Sequence, residues 1–398
     1  MTAVDGDARA LAGAGLAAAL RDSRARSWAV VDDLPEGVWL PPEQPGVNPI
    51  AWELAHLAWF AEFWVLRGPH RRGADGRAEA QRPARHAVPD AHFDSARSAH
   101  AARWRMPLPQ REALQRVLAG QLEDCIAALP GGGAHEGEAD DAGLYFHRLA
   151  LFHEDMHGEA FTWLRSTLGA PAPAGCLPPL LQPRAAVGVV GGEVSIGRPD
   201  ALPGFAFDNE QRAQTLRLAE FEIDATPVTA GQFLRFVEAG GYDLAQHWPG
   251  AAGAWRATVD RRHPAHWRRL GGDWQVRWFD RWLPLAPDAP VMHVNAFEAE
   301  AWCAWAGRRL PRAAEWEHAA PQLDWGHSVW EWTADAFTPY PGFTAGPYVE
   351  YSAPWFGNHR ELRGGAFATH DRLHSRHYRN FFLPQRDDIF AGFRSAAR

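Results

Sequence analysis

Five prolines between residues 169 and 186, namely Pro171, Pro173, Pro178, Pro179 and Pro183, divide the chain into two parts of different texture. Proline lacks the backbone N–H that a helix or a central strand needs, so this stretch reads as a linker. Before it the spacing predicts four helices. One is the Ala/Leu/Arg-rich segment 9–31, and a second follows Asn48 and Pro49, a capping residue ahead of a proline suited to a first turn. Its run from Trp52 to Trp64 is apolar around the whole circumference and is expected to be deeply packed. Segments 108–129 and 141–168 complete the set, separated by a Gly/Glu loop at Gly131–Gly137 and ended by Gly169 and Pro171. Four such helices make an antiparallel bundle. After the linker the segments are short, rich in Gly and Trp, and broken by turns. Strands are expected near Val190–Gly197 and Phe221–Asp224, and helices at 230–239, 296–306 and 312–319, with the rest mostly loop. The reading is an α+β chain with domains at 1–168 and 187–398.

At 398 residues the chain is too long for one ordinary core. Its 46% apolar and 22% charged composition is that of a globular protein. The net charge of −8, with no basic run interleaved with aromatics, argues against a nucleic-acid partner. Cys125, Cys176 and Cys303 are widely separated, so neither a disulfide scaffold nor a thiolate metal site is expected. The start, with Asp5 and Asp7, lacks a basic segment leading into an apolar one, and no run reaches about 18 apolar residues. No membrane partner and a cytoplasmic location are the default expectations; the oligomeric state is not readable.

Chemistry concentrates in His153-Glu154-Asp155-Met156-His157-Gly158-Glu159 on the fourth helix. His153 and His157, four residues apart, lie on one helix face. His56 sits on the second helix between Trp52, Trp59 and Phe60, where a buried imidazole needs a partner. Together the three can cap a divalent metal and leave coordination positions open. Imidazole suits iron and zinc alike. Glu154 and Asp155 point away from the pair, and Glu159, about 200° round the helix, is expected to bond elsewhere in the bundle. The letters His153-Glu154-x-x-His157 also match a zinc protease motif, a weaker reading because no further ligand helix follows.

Several strings in order along nearly the whole chain carry a family resemblance. They are Trp52-Glu53-Leu54-Ala55-His56, His153 to Glu159, Phe207-Asp208-Asn209-Glu210, Pro227-Val228-Thr229, Arg308-Arg309-Leu310-Pro311, Val329-Trp330-Glu331-Trp332-Thr333, Leu362-Arg363-Gly364-Gly365-Ala366-Phe367, Tyr378-Arg379-Asn380-Phe381-Phe382 and Phe390-Ala391-Gly392-Phe393-Arg394. The first half resembles a DinB-type four-helix bundle. The second resembles the formylglycine-generating, sulfatase-modifying type of C-type-lectin-like domain. The pair resembles the nonheme-iron sulfoxide synthases of ergothioneine biosynthesis. That resemblance implies Fe(II) on His56, His153 and His157, dioxygen as co-substrate, and hercynine as a substrate whose C2 carbon is joined to a chalcogen in a cleft between the domains. It places Asn380 and Phe381 near the trimethylammonium group, which donates no classical hydrogen bond but is attracted to aromatic faces.

The departures bear on the second substrate. Members using gamma-glutamylcysteine carry an acidic residue near the position of Phe382 and a glutamine at that of Met156. An apolar Phe382 cannot receive a dipeptide amine. Arg386 remains to bind a carboxylate or sugar hydroxyls, and Arg82 and Arg85 stand in a basic loop able to reach the same substrate. The strings around Asn48–Phe60 and Phe382–Arg394 most resemble the selenoneine synthase subfamily, which implies a selenosugar donor; the alternative is a thiol, cysteine or gamma-glutamylcysteine. Tyr340, in Phe337-Thr338-Pro339-Tyr340-Pro341-Gly342, and Tyr378 are the candidate proton donors, though Tyr-Pro-Gly is also ordinary turn chemistry. A formylglycine-generating oxidase needs a cysteine pair, and only Cys303 lies in the second domain. A zinc thiol transferase and a noncatalytic metal- or sugar-binding module remain as rivals from other classes.

Overall fold

The computed structural model describes residues 8–130 and 141–398, so the expected loop Gly131–Gly137, like Asp5 and Asp7, lies outside the described residues. Four helices, α1 (Gly13–Ala29), α2 (Ile50–Ala61), α3 (Arg111–Ala127) and α4 (Asp141–Thr167), build the first part. α1 packs on α4, and α2 packs on both α3 and α4. All of α2 is buried, as its apolar circumference demands. It runs on into a π-helical turn, Glu62–Leu66. Asn48 does not cap α2: Pro49 holds the N-cap position without a side-chain bond. The Asn48 amide instead donates to Glu53 Oε1 (2.6 Å), and its carbonyl accepts from Arg103 Nη1 (2.7 Å). A side chain recruited by a buried carboxylate and a guanidinium is unavailable to the helix end.

Between α2 and α3 the chain forms a hairpin of His70–Arg72 with Ala78–Ala80 that the sequence did not advertise, since neither strand alternates apolar and polar residues. In the second part, helices Ala230–Glu238, Ala296–Trp305 and Ala313–Ala319 fall where expected. Thr229 and Asn295 cap the first two in reciprocal capping boxes with Gln232 and Glu298. A three-stranded antiparallel sheet at Trp267–Leu270, Asp273–Trp278 and Arg281–Pro284 lies in a stretch read as loop. Its first turn is Gly271-Gly272, both at positive φ, the backbone a tight hairpin requires.

The central sheet of this part has strands β1 (Trp330–Ala336), β2 (Arg360–Gly364), β3 (Asn380–Phe382) and β4 (Ala391–Gly392) in the order β3-β2-β1-β4. β4 runs parallel to β1, and the other pairs are antiparallel. The sheet is braced from within by ion pairs. Arg363 meets Glu361 at 2.7 Å and Glu317 at 3.0 Å, Arg379 meets Glu361 at 2.7 Å, and Arg394 meets Glu331 at 2.7 Å, all buried. Their hydrogen bonds satisfy charges that would otherwise be costly to bury.

Polar pairs also close the seam between the parts. Arg9 meets Glu210 at 2.8 Å, and Arg372 binds Asp155 at 2.8 Å. Glu159 accepts from Trp330 Nε1 at 2.7 Å and from Thr369 Oγ1 at 2.6 Å. Glu159 therefore bonds across to the second part and not within the bundle as expected, because Trp330 of the sheet and Thr369 of a loop both reach its carboxylate. Among the described residues no helix is long and apolar enough to cross a membrane.

Candidate metal centre

α2 and α4 face each other inside the bundle, and their packing brings His56, His153 and His157 together. One ligand atom from each lies within 4.8 Å of the others. Ring centroids are 4.5 Å apart for His153 and His157, 5.1 Å for His56 and His153, and 5.2 Å for His56 and His157. His56 is clamped between Trp52 and Trp59, and Phe60 stacks on His153 at 3.5 Å.

The partners of these rings fix their orientation. His56 Nδ1 lies 2.7 Å from the Phe93 carbonyl oxygen. A carbonyl can only accept, so Nδ1 carries the proton and Nε2 keeps its lone pair. His157 Nδ1 lies 2.9 Å from Glu53 Oε2, close but not aligned for a hydrogen bond. Burial pushes the Glu53 carboxyl up, but His157, His56 and Asn48 outweigh it and hold it at about 2. Burial, with neighbouring His157, pushes His56 down to about 3 and His153 well below its ordinary value. Neutral imidazoles with outer hydrogen-bond or carboxylate partners are the form in which histidine binds metals. Glu154 is tied to Arg24 at 2.6 Å, so it is not poised as the base of a zinc protease.

His153 and His157 open onto a cavity of ≈ 630 Å³ between the bundle and the second part. Met156, Asn380, Phe381, Phe382, Arg386 and Tyr378 all line it. The Tyr378 hydroxyl donates to Met156 Sδ at 3.2 Å and accepts from Tyr351 at 3.3 Å. Burial pushes both phenols above their ordinary value, so both keep their protons at neutral pH. The Asn380 side-chain oxygen accepts from the Phe381 N–H at 2.9 Å, and Phe381 stacks on Phe337 at 4.1 Å. Arg386 stands over Trp163 and Phe382, each at 5.2 Å, and pairs with Asp388 at 2.6 Å.

Three expected residues do not reach this cavity. Tyr340 is buried beside the ion-pair network: its hydroxyl accepts from Arg363 at 3.0 Å, Arg379 covers its ring at 4.0 Å, and burial pushes it up to about 12. Arg82 and Arg85 are exposed beyond the hairpin, Arg85 at 3.9 Å from Asp124. The arginines that do line the cavity beside Arg386 are Arg77 and Arg103. Arg77, on the hairpin, lies 3.4 Å from Glu350; Arg103 stacks 3.8 Å over Trp52. Sequence reading also passed over Tyr351, Tyr348, Trp163 and Glu350 on the cavity wall. The run Tyr348-Val349-Glu350-Tyr351 offered a signal, with three of the chain's six tyrosines counted together with Tyr378 at this wall. No cysteine lines the cavity, and Cys303 is buried elsewhere with its thiol pushed well above its ordinary value by burial.

Residues 19–160 match the DinB superfamily model, and residues 178–326 match the sulfatase-modifying factor enzyme 1-like domain. The hercynine oxygenase of Mycolicibacterium thermoresistibile is 30% identical over 96% of this chain and 94% of its own length. That of Mycobacterium tuberculosis is 30% identical over 96% of this chain and 98% of its own. The formylglycine-generating enzyme of Streptomyces coelicolor is 30% identical over 58% of this chain and 96% of its own.

Proposed function

Because this chain belongs to the hercynine oxygenase family, we propose that it joins the C2 carbon of hercynine to the selenium of a selenosugar, with Fe(II) held by His56, His153 and His157 and dioxygen as co-substrate. It is a hercynine-acting oxidoreductase of the ergothioneine-type iron enzymes. The observation that carries this reading is the chemistry of the cavity onto which His153 and His157 open.

The donor set fits iron. The His56 lone pair at Nε2 is set by the Phe93 carbonyl, and His157 is backed by the Glu53 carboxylate. Bound there, Fe(II) would supply the electron-transfer chemistry through which dioxygen oxidises a chalcogen. The chain's own residues do the rest. Asn380 and Phe381 receive the trimethylammonium end, and an aromatic face contributes about 0.5–2 kcal/mol to such a cation. Tyr378, protonated and held by Tyr351 and Met156, is the proton donor at the cavity wall. Tyr340, turned to Arg363, is not in a position to share that role.

The donor site favours a neutral polyol. Arg386 is committed to Asp388, and Arg77 faces Glu350, so two of the three cavity arginines are offset by carboxylates of the chain itself. Phe382 beside them presents an apolar face where an ammonium would need an acid.

The deciding experiment loads the protein anaerobically with Fe(II) and hercynine. Selenoglucose, cysteine or gamma-glutamylcysteine is added in separate reactions, dioxygen is admitted, and the adducts are identified by mass. Faster formation of the selenium adduct is expected. Faster turnover of either thiol would overturn the donor assignment, and no oxygen-dependent adduct with any donor would overturn the activity.

A further inference from the structure

A second cluster of metal-binding side chains stands outside the cavity. His374 closes a short turn, Asp371–Leu373, three residues after Asp371, and His327 approaches from the loop that precedes β1. One ligand atom from each of His327, Asp371 and His374 lies within 4.8 Å of the others. Asp371 Oδ1 is 3.5 Å from His374 Nδ1 and 3.9 Å from His327 Nδ1, and the two rings meet edge to face with centroids 4.9 Å apart. We propose that His327, Asp371 and His374 form a second site, separate from the catalytic centre, for a divalent transition-metal ion of the zinc or nickel type.

The three side chains divide the work. His374 is the fixed ligand, with 2% of its side chain exposed, while His327 and Asp371 are 73% and 80% exposed and free to adjust. Burial, then the neighbouring His327, holds the His374 imidazole at about 4, so it is neutral at physiological pH and offers a lone pair. Gly326 packs beside that ring. It adopts φ +95°, and a Cβ on it would sit 3.3 Å from His374 Nδ1. Two imidazoles and one carboxylate, with water at the remaining positions, are a donor set suited to borderline metals and poorly suited to calcium or magnesium, which prefer oxygen.

The location suggests what such an ion does. The segment that carries Asp371 and His374 also sends Thr369 to Glu159 at 2.6 Å and Arg372 to Asp155 at 2.8 Å, and Leu373 lines the cavity. An ion at this place ties the segment Asp371–His374 to the His327 loop. It acts on the stiffness of the cavity wall, not on the reacting atoms. An ion that binds only the folded chain also raises the unfolding temperature.

The test is equilibrium dialysis of the full chain against Zn²⁺, with bound metal counted by mass spectrometry, for wild type, His327→Ala, Asp371→Asn and His153→Ala. Wild type is expected to hold two equivalents. His327→Ala and Asp371→Asn alter exposed side chains, so the fold survives, and each should weaken one equivalent by at least about ten-fold while sparing the other. His153→Ala should lose the inner equivalent and keep the outer. A single equivalent in wild type, or two equivalents of unchanged affinity in both His327→Ala and Asp371→Asn, would overturn the proposal. Two equivalents kept in His153→Ala would count against the inner site alone.

Discussion

In the bundle, the helix that carries His56 is buried on all sides by apolar neighbours; across the cavity, the strand that carries Asn380 is braced by arginines and carboxylates sunk in the core of the second part. The two walls of one site are thus held by different forces. On the helical wall, regular backbone hydrogen bonds and side-chain packing fix the imidazoles, and the polar partners needed are few: a carbonyl, a carboxylate, an amide. On the other wall, irregular loops leave little continuous apolar surface. Direction comes instead from charge-assisted bonds that have one geometry each. The three clustered imidazoles thus sit on regular helices, whereas Asn380 and Phe381 sit on a short strand held by buried ion pairs.

The largest effect that would break or sustain this contrast is on the helical wall. His153→Ala should abolish iron retention and lower turnover by more than the ~10–100-fold that outer partners command, read by iron analysis and product formation. On the opposite wall, Arg363→Met removes the guanidinium that Glu361 and Glu317 meet at 2.7 and 3.0 Å, leaving Glu361 to Arg379 and Glu317 to His377. Removing one side of a buried ion pair costs about 3–5 kcal/mol, so denaturant unfolding should show a large loss of stability; a loss under 1 kcal/mol would mean the network behaves like a surface one. Glu53→Gln tests the outer partner on its own. It should weaken iron binding about 10–100-fold with little change in the unfolding midpoint, whereas an unaltered iron affinity would remove Glu53 from the account.

The second part also carries a pH dependence of its own. Burial raises Glu298, against the lowering effect of Arg261, from 4.5 to about 7. The folded state then holds a proton that the unfolded chain has already released, so stability falls as pH rises from about 4.5 to about 7 and levels off above. The contribution is on the order of 1–3 kcal/mol, and thermal unfolding of Glu298→Gln across this range should be flatter than that of wild type. The smallest effect belongs to Arg85→Ala, which should change stability by less than about 0.5 kcal/mol and leave turnover with either donor unchanged.

Helix periodicity made the bundle readable. The apolar circumference of α2 and the four-residue spacing of His153 and His157 are local signals that survive into three dimensions. Which arginines face the cavity was not readable, because Arg77 comes to it on a hairpin whose strands lack alternation, and Arg82 and Arg85, close in sequence, are exposed outside it. The same holds for Tyr340. Tyr-Pro-Gly announces a turn, but only the fold shows that the turn delivers the ring to Arg379 and Arg363. Partners drawn from residues scores of positions apart, such as Glu159 with Thr369, carry no spacing signature at all.

The central claim is that imidazoles from α2 and α4 hold one iron at the cavity floor. Diffraction from anaerobic crystals of the Fe(II)-loaded protein, recorded at the iron edge, tests it directly. The account predicts an anomalous peak about 2.1 Å from a nitrogen of each of His56, His153 and His157. A peak elsewhere, or one that only one of these histidines reaches, would contradict it.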